Sequence, residues 1–474
     1  MRILILQFLP ARQYPSGPRF DDALGVASSV LRQDGHATGL LPVTGYDEGR
    51  IRLKLAHFRP QIVYADVAGT CVDLAHRTIG YVALRHCLPV VCGGVFATVA
   101  PKRALSMPGV QAAVIGEPEV PFPAFIRATV SPDLDTALPG VWLNCDGAVV
   151  KHELAPLTED LDALPDADRS LFAYQRHIDE THEAEVSVGR GCPHFCAYCI
   201  NDWLMEIYEN KGTFVRRRSP DRICDEIDAL RHTYDGIRRI RFREHLFALD
   251  ASWLATFTEV YRRRCGLPFR CHVRANALTE PVATLLAEAG CGFADIEVIS
   301  GSDFVRNEIF DMELTNPQIV AAFDLLARHG IAARSINYLG TPYASEVSIE
   351  ESVALNRRVR PSVVEGRVYY PFVGTRAAEL CAEEGWISNR GESSYRRDES
   401  VLDMPNLRPE VINKLARRFR WDVAHPQRSR FNDLAAWWTT GPAVWVAETI
   451  RRLRRVVSRR DVRETKAGSV PAEQ

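Results

Sequence analysis

No apolar run in the 474 residues reaches the roughly 18–20 needed to cross a bilayer, so no transmembrane segment is expected. Charge of one sign is also lacking. The 58 Lys and Arg stand against 60 Asp and Glu, a net charge of -2. That balance gives no global reason to expect nucleic-acid or membrane binding. The 46% hydrophobic and 25% charged content excludes a mainly disordered or collagen-like chain. No short tandem repeat marks a solenoid. The apolar stretch from Met1 to Pro10 is short, lacks a small-residue cleavage site and reads as a buried first strand rather than a leader. A cytoplasmic protein is therefore expected. Its twelve cysteines are scattered without a secretory signal, so a disulfide framework is not. Most read as buried thiols.

What is present is alternation. A chain of this length is expected to form two or three domains of about 100–200 residues each. In the first 130 residues, strand-like segments at Arg2–Phe8, Ala37–Pro42, Gln61–Ala65, Pro89–Cys92 and Val110–Ile115 alternate with helical periodicity. The helical stretches are Asp21–Gln33, Ile51–His57 and Val72–His86. Apolar strands separated by helices predict a parallel sheet covered on both faces, with ligands at the carboxyl ends of its strands. Residues 131–181 are rich in Pro, Asp and Leu and read as a linker crossing back over the first domain. Six further strands are predicted at Glu185–Gly189, Ile237–Phe242, Phe269–Val273, Phe293–Val298, Ala333–Leu339 and Val364–Tyr370. With helices between them they suggest a partial β/α barrel, short of eight units.

The end of the chain differs. Residues 401–474 hold 15 Lys/Arg and 8 Asp/Glu, a local +7. Trp445–Arg460 contains RRLRRVVSRR and reads as a basic amphipathic helix. Such a helix suits an anionic membrane or a polyanion; a solvated terminal helix is the plainer reading. Trp437, Trp438 and Trp445 are candidates to line a lid, or ordinary packing residues. The tail after Arg463 is expected to be disordered.

Three cysteines are not scattered. Cys192, Cys196 and Cys199 follow the first strand of the second alternation with CxxxCxxC spacing. Three thiolates on one short loop can hold three corners of an iron–sulfur cluster and leave one iron open to a small molecule. The alternatives are three buried thiols without metal, or a zinc site completed by His194 or a distant ligand. Zinc sites usually come as paired motifs, and no second CxxC exists in the chain.

This pattern, with Tyr198 before the last cysteine, resembles the radical S-adenosylmethionine (SAM) enzymes. The likeness continues along the chain. Arg218, Ser219 and Pro220, with Glu226 and Ile227, resemble an RSP-x5-EI segment. Glu244 ends the second barrel strand, and Phe269–Arg274 resembles the third. Ser300, Gly301, Ser302 and Asp303 resemble an ESGS(D/E) turn, Gly340 a GLP turn, and Tyr370–Thr375 a YPYPGT motif. The resemblance implies a 4Fe-4S cluster on the three cysteines, SAM on the open iron, and cleavage to a 5′-deoxyadenosyl radical. It implies SAM contacts from Tyr198, Glu244, Arg274, Ser300, Gly301 and Gly340. Ile299 and Met312 depart from the family, which often has Glu and Arg there.

The first domain resembles the cobalamin-binding domain that precedes many radical SAM domains. Gly93 and Gly94 after the fourth strand, and Gly116 and Glu117 after the fifth, carry the likeness. Glycines at strand ends allow backbone to approach a bulky ligand. The loop from Asp66 through Gly69 and Thr70 is expected to complete that rim. Asp34–Gly39 spells DxHxxG, a pattern that supplies a cobalt-ligating histidine elsewhere. Here it follows a helix, so His36 is expected to lie in a turn and leave cobalt without a histidine.

The expected fold class is therefore α/β: an N-terminal doubly wound, Rossmann-like cobalamin-binding domain (1–135), a linker (136–181), a partial (β/α)6 radical SAM barrel (182–395) and a small helical C-terminal segment (396–474). The leading functional expectation is a C-methyltransferase with a small-metabolite or natural-product substrate and a reductant such as flavodoxin or ferredoxin. A radical rearrangement, ring contraction or cyclisation without methyl transfer is the alternative. A non-catalytic cofactor-binding or sensing protein is the third.

Overall fold

Strands buried on both faces need near-continuous apolar sequence. In the computed structural model, which describes residues 1–10, 19–130, 138–244, 246–388 and 398–426, the first such run is β1 (Arg2–Phe8). Every residue of β1 after Arg2 is buried. It pairs in parallel with β2 (Ala37–Val43) on one side and β3 (Ile62–Asp66) on the other. β4 (Val90–Gly93) and β5 (Val110–Val114) extend the parallel sheet. Helices Asp22–Gln33, Glu48–Phe58 and Val72–His86 connect the strands.

β6 (Val141–Cys145) and β7 (Ala148–Lys151) then add an antiparallel hairpin, giving the order β2-β1-β3-β4-β5-β6-β7. This hairpin lies within the segment read as a linker. Its signal is Asp146-Gly147, a two-residue loop with both φ positive between apolar flanks. The rest of the segment does cross back over the first domain. Ser28 Oγ donates to Asp168 at 2.8 Å, and Ser29 Oγ to the Asp166 carbonyl at 2.6 Å.

The second sheet starts at β8 (Glu183–Val186). The chain then forms a short antiparallel ribbon, β9 (Gly189–Arg190) with β10 (Arg216–Arg217). The first barrel strand thus ends at Val186, and Gly189, expected at its end, pairs with Arg217 instead. β11 (Arg239–Phe242), β12 (Phe269–Val273), β13 (Cys291–Ile299), β14 (Ala332–Leu339) and β15 (Val363–Val368) follow. Their order, β15-β14-β13-β12-β11-β8, is parallel throughout and matches the chain order. β8 and β15 are the edges, as a partial (β/α)6 barrel requires. Helices separate successive strands, and Ser219, Thr315 and Ser345 cap three of them with their side chains.

The barrel's outer core is aromatic: Phe242, Phe247, Phe257, Tyr261 and Phe269 pack together, with Phe242 and Phe247 rings 4.9 Å apart. Its inner face is charged. Asp295 on β13 is buried against Arg270 at 2.7 Å, Arg334 at 3.2 Å and His272 at 3.4 Å.

Gly301 marks the tightest contact at the carboxyl end of β13. A Cβ there would lie 2.2 Å from the Glu351 carbonyl in helix Glu346–Val359. Backbone cannot yield as a side chain does, so Gly301→Ala is expected to cost about 3 kcal/mol, the upper end of core overpacking. Chemical unfolding reads this directly; a variant as stable as the parent would contradict the packing described.

Residues 1–423 form one compact unit, and 424–474 a second, of which only 424–426 are described. Helix Pro409–Ala424 supplies the expected helical character of the C-terminal segment. The basic helix expected at Trp445–Arg460, with Trp437, Trp438 and the tail, lies outside the described residues. Among those described, no helix is long and apolar enough to cross a membrane.

Candidate active site

The ribbon β9–β10 carries the chain into the cysteine loop. Gly191 has φ +82°, and a Cβ on it would meet the Phe214 carbonyl at 2.1 Å. Cys196 is buried; Cys192 and Cys199 are partly exposed, and none is in a disulfide. The Cys199 N–H donates to the Cys196 carbonyl at 2.9 Å, closing a tight turn. Cys199 is then the N-cap of helix Ile200–Ile207.

Two later segments, the loop at Phe310 and the start of helix Arg376–Glu383, anchor this turn. The Ala197 N–H donates to the Phe310 carbonyl at 3.0 Å, and its carbonyl accepts from Ala377 N–H at 2.9 Å. Arg376 donates to the Phe195 carbonyl at 2.5 Å, to Asp311 at 2.7 Å and to Asp202. The loop is thus held from the ends of β13 and β15, far away in sequence.

Burial raises the pKa of all three thiols, that of Cys199 to about 12. Arg274 partly offsets this at Cys192 and Cys196, and its guanidinium lies 3.5 Å from Cys196 Sγ. Bare thiols here stay protonated; a metal centre deprotonates its ligating thiols outright. Among the described residues, no group of three or more His, Cys, Asp or Glu side chains could hold one metal ion. A cluster asks for something different, one thiolate on each of three separate irons. Three unpaired cysteines on an anchored loop, with a cation beside them, fit that demand.

The residues expected to touch SAM divide into two groups. Tyr198 donates to Glu297 at 3.0 Å and packs edge-on against Phe310 and Tyr338, at 5.1 and 6.0 Å. It lines a cavity of about 340 Å³ with Tyr338, Arg367, Tyr369 and Tyr370. Arg274 also donates to the Met312 carbonyl, so Met312 contributes its backbone where the family often has a charged side chain. Glu244 stands at the carboxyl end of β11, 3.4 Å from Arg217. Ser300, Gly301 and Gly340 fall in the second group. Ser300 and Gly301 are buried against Ser352, whose Oγ accepts from Gly301 N–H at 2.7 Å. Gly340 packs under Ile412 of helix Pro409–Ala424. Of the six, Tyr198 lines that cavity and the other five do not.

Glu297 was not singled out in the sequence. Its signal is an acid two residues after Asp295, on the same face of β13, in an otherwise apolar strand. Ile299, where the family often has Glu, is fully buried with φ +64°. The carboxylate beside Tyr198 thus comes from two residues earlier.

Burial raises the Glu244 pKa from 4.5 to about 7, against the pull of Arg217. A carboxyl protonated longer in the folded state than in the unfolded one stabilises fully below pH 4.5. That contribution is lost as pH rises to about 7, roughly 3 kcal/mol in all. Glu244→Gln is therefore expected to flatten the pH dependence of thermal unfolding over this window and to be the more stable protein at pH 8. Parallel curves for the two proteins would contradict it.

A second cavity, about 360 Å³, lies between the carboxyl ends of the first sheet and helix Ile200–Ile207. Phe8, Leu9, Val67, Val95, Leu204 and Phe214 make much of its wall apolar. Of the expected rim, Gly94, Gly116 and Glu117 line it; Gly69, Thr70 and Gly93 do not. The glycines make room chiefly for protein. A Cβ on Gly93 would lie 1.8 Å from the Tyr64 hydroxyl, and one on Gly116 1.8 Å from that of Tyr208. Glu117 pairs with Arg190 at 2.9 Å and with Arg216, joining the first domain to the ribbon before Cys192. His36 lies at the amino end of the sheet, 2.9 Å from the Met1 amino group, away from this rim. An apolar cleft with a few convergent polar groups and one orphaned buried hydroxyl, that of Tyr64, has the character of a cofactor site.

Residues 186–355 match the Radical SAM superfamily, and this part of the chain is a radical SAM domain. Over 87% of its length the chain is 23% identical to cytidylyl-2-hydroxyethylphosphonate methyltransferase of Streptomyces wedmorensis, covering 86% of that protein. Among solved structures it is similar to the radical SAM methyltransferase TsrM of Kitasatospora setae, solved with tryptophan substrate and a SAM analogue. The TM-score is 0.64 at 18% identity, covering 88% of this chain and 83% of that one. It also resembles OxsB, solved with aqua-cobalamin and SAM, with TM-score 0.62 and 18% identity over 81% of this chain and 55% of that one. These likenesses show a shared α/β fold.

Proposed function

We propose that the chain is a cobalamin-dependent radical SAM methyltransferase that acts on an unactivated carbon of a small molecule. One observation carries the reading: helix Ile200–Ile207 begins at Cys199 and walls the cavity at the carboxyl ends of the first sheet. Gly191, just before Cys192, and Ile200, just after Cys199, also line it, so the cysteine loop borders the first domain's ligand edge. Relatives named as methyltransferases over nearly the whole length support it.

Cys192, Cys196 and Cys199 would hold the 4Fe-4S cluster, which when bound supplies the electron that cleaves SAM. The first domain's cavity would hold cobalamin, which when bound carries the methyl group. The chain's own residues bind, orient and exclude water. Tyr198 and its aromatic neighbours offer a flat apolar slot, and Glu297 fixes the Tyr198 hydroxyl. Glu244, within reach of Arg217, offers a carboxyl to an amino group. Arg274 balances negative charge at Cys196. A flavodoxin or ferredoxin in the cytoplasm would supply the electrons.

Incubation with SAM, reductant and candidate substrates tests this. Equal amounts of S-adenosylhomocysteine and 5′-deoxyadenosine are expected. Deoxyadenosine without S-adenosylhomocysteine would replace methyl transfer with rearrangement, and neither product would leave a binding protein.

A further inference from the structure

One polar side chain of β3, Tyr64, is not accounted for by the fold, and Asp66 stands beside it. Tyr64 and Asp66 are two residues apart and so point to the same face of the strand. Both line the cavity between the first sheet and helix Ile200–Ile207. Tyr64 is only 1% exposed, and its hydroxyl has no hydrogen-bond partner among the described residues. A buried hydroxyl is rarely left unpaired, and an orphan calls for a ligand or a trapped water. The neighbouring strand is cut away to seat both groups. A Cβ on Gly93 would strike the Tyr64 hydroxyl, and one on Gly94 would lie 2.4 Å from Asp66 Oδ1. Asp21, from the start of the first helix, lines the same cavity, as does Arg19. Asp21 sits close enough to raise the Asp66 pKa, chiefly set by burial, to about 7.

We infer that Tyr64 and Asp66 form a subsite for the primary amide side chains at the edge of a corrin ring. A primary amide carries two N–H donors and one carbonyl acceptor. The carboxyl oxygens of Asp66 take an N–H, and the Tyr64 hydroxyl donates to the carbonyl. Arg19 and Arg216 line the same cavity as Asp21 and Asp66, so the wall carries both signs. Selection comes from pairing: a carboxylate in the amide's place brings no N–H for Asp66 to accept. The inference rests on the reading that this cavity holds cobalamin, and it adds which part of the molecule the wall reads.

The test is a titration of the full chain, followed by absorption, with two probes. One is hydroxocobalamin; the other is a corrin whose amide side chains are hydrolysed to carboxylates. The parent is expected to bind hydroxocobalamin at least about tenfold more tightly, the equivalent of one hydrogen bond. Asp66→Asn should narrow that preference, because its amide can donate to a carboxylate and keeps the shape. Tyr64→Phe should weaken hydroxocobalamin about tenfold while melting no lower than the parent, since it deletes only an unpaired hydroxyl. If the parent binds both corrins equally, or the variants match the parent, the amide subsite is overturned and the cofactor reading stands. If the parent binds neither corrin, both fall together.

Discussion

Replacing Cys196 by alanine is expected to remove the iron–sulfur chromophore and to abolish both S-adenosylhomocysteine and 5′-deoxyadenosine formation. Cys196 is the buried member of the trio and lies at the centre of the anchored turn, its carbonyl bound by Cys199 N–H. Without its thiolate, one corner of the cluster has no ligand, and no other cysteine is within the loop to replace it. The loop itself should persist. Its anchors are backbone bonds through Ala197 and the Arg376 contacts, none of which uses the Cys196 side chain. Circular dichroism and melting close to the parent, with iron content and product both lost, are the expected result. Full product formation by Cys196→Ala would remove the cluster from the mechanism.

A second large effect is expected at Arg190, two residues before Cys192. Its guanidinium pairs with Glu117 at 2.9 Å and with Glu119, and reaches Asp22 at 3.8 Å. Arg216, its partner in the ribbon, holds Glu117 from the other side and donates to the Thr158 carbonyl at 2.8 Å. The two strands that deliver the cysteine loop are thus pinned to the loop after β5 in the first domain. Glu119 is fully buried, and burial holds its carboxyl above the usual range even beside Arg190. Arg190→Met leaves that carboxylate buried without its cation, a loss of about 3–5 kcal/mol. The sign with pH follows: the defect should be largest in neutral and alkaline solution and shrink on acidification, as Glu119 takes up a proton. Removing both charges, in Arg190→Met with Glu119→Gln, should recover part of the loss. Denaturant unfolding of the three proteins at two pH values checks this. A pH-independent defect, or a double variant worse than the sum of the singles, would contradict the ion-pair account.

These two sites also mark where local pattern was enough and where it was not. Helix Val72–His86 was legible to the residue, because apolar periodicity and end signals lie within the segment itself. The cysteine spacing was legible for the same reason: it lies within one loop. The hairpin of β6 and β7 was missed because only Asp146-Gly147 marks it and its second strand is wholly exposed. Glu117 was read as facing a cofactor. That it also clamps Arg190 and Arg216, 73 and 99 residues later, depends on how two sheets meet. Ser300, Gly301 and Gly340 matched motifs; that Gly301 meets Ser352 and Gly340 meets Ile412 could not be read from residue order, which does not record what packs against a strand end. Gly93 and Gly94 were read as letting backbone approach a ligand; that they also make room for Tyr64 and Asp66 depends on the neighbouring strand, while Gly94 lines the cavity.

The central claim is that Cys192, Cys196 and Cys199 hold a cluster while the first domain holds a corrin. An anaerobic absorption spectrum of protein produced with iron and cobalamin supplied tests it most directly. Broad iron–sulfur absorption together with corrin bands, both surviving desalting, is the expected result. Corrin bands without iron–sulfur absorption would contradict the assignment of the three cysteines. A cluster without corrin would make the first domain a substrate or docking module and remove methyl transfer from the account.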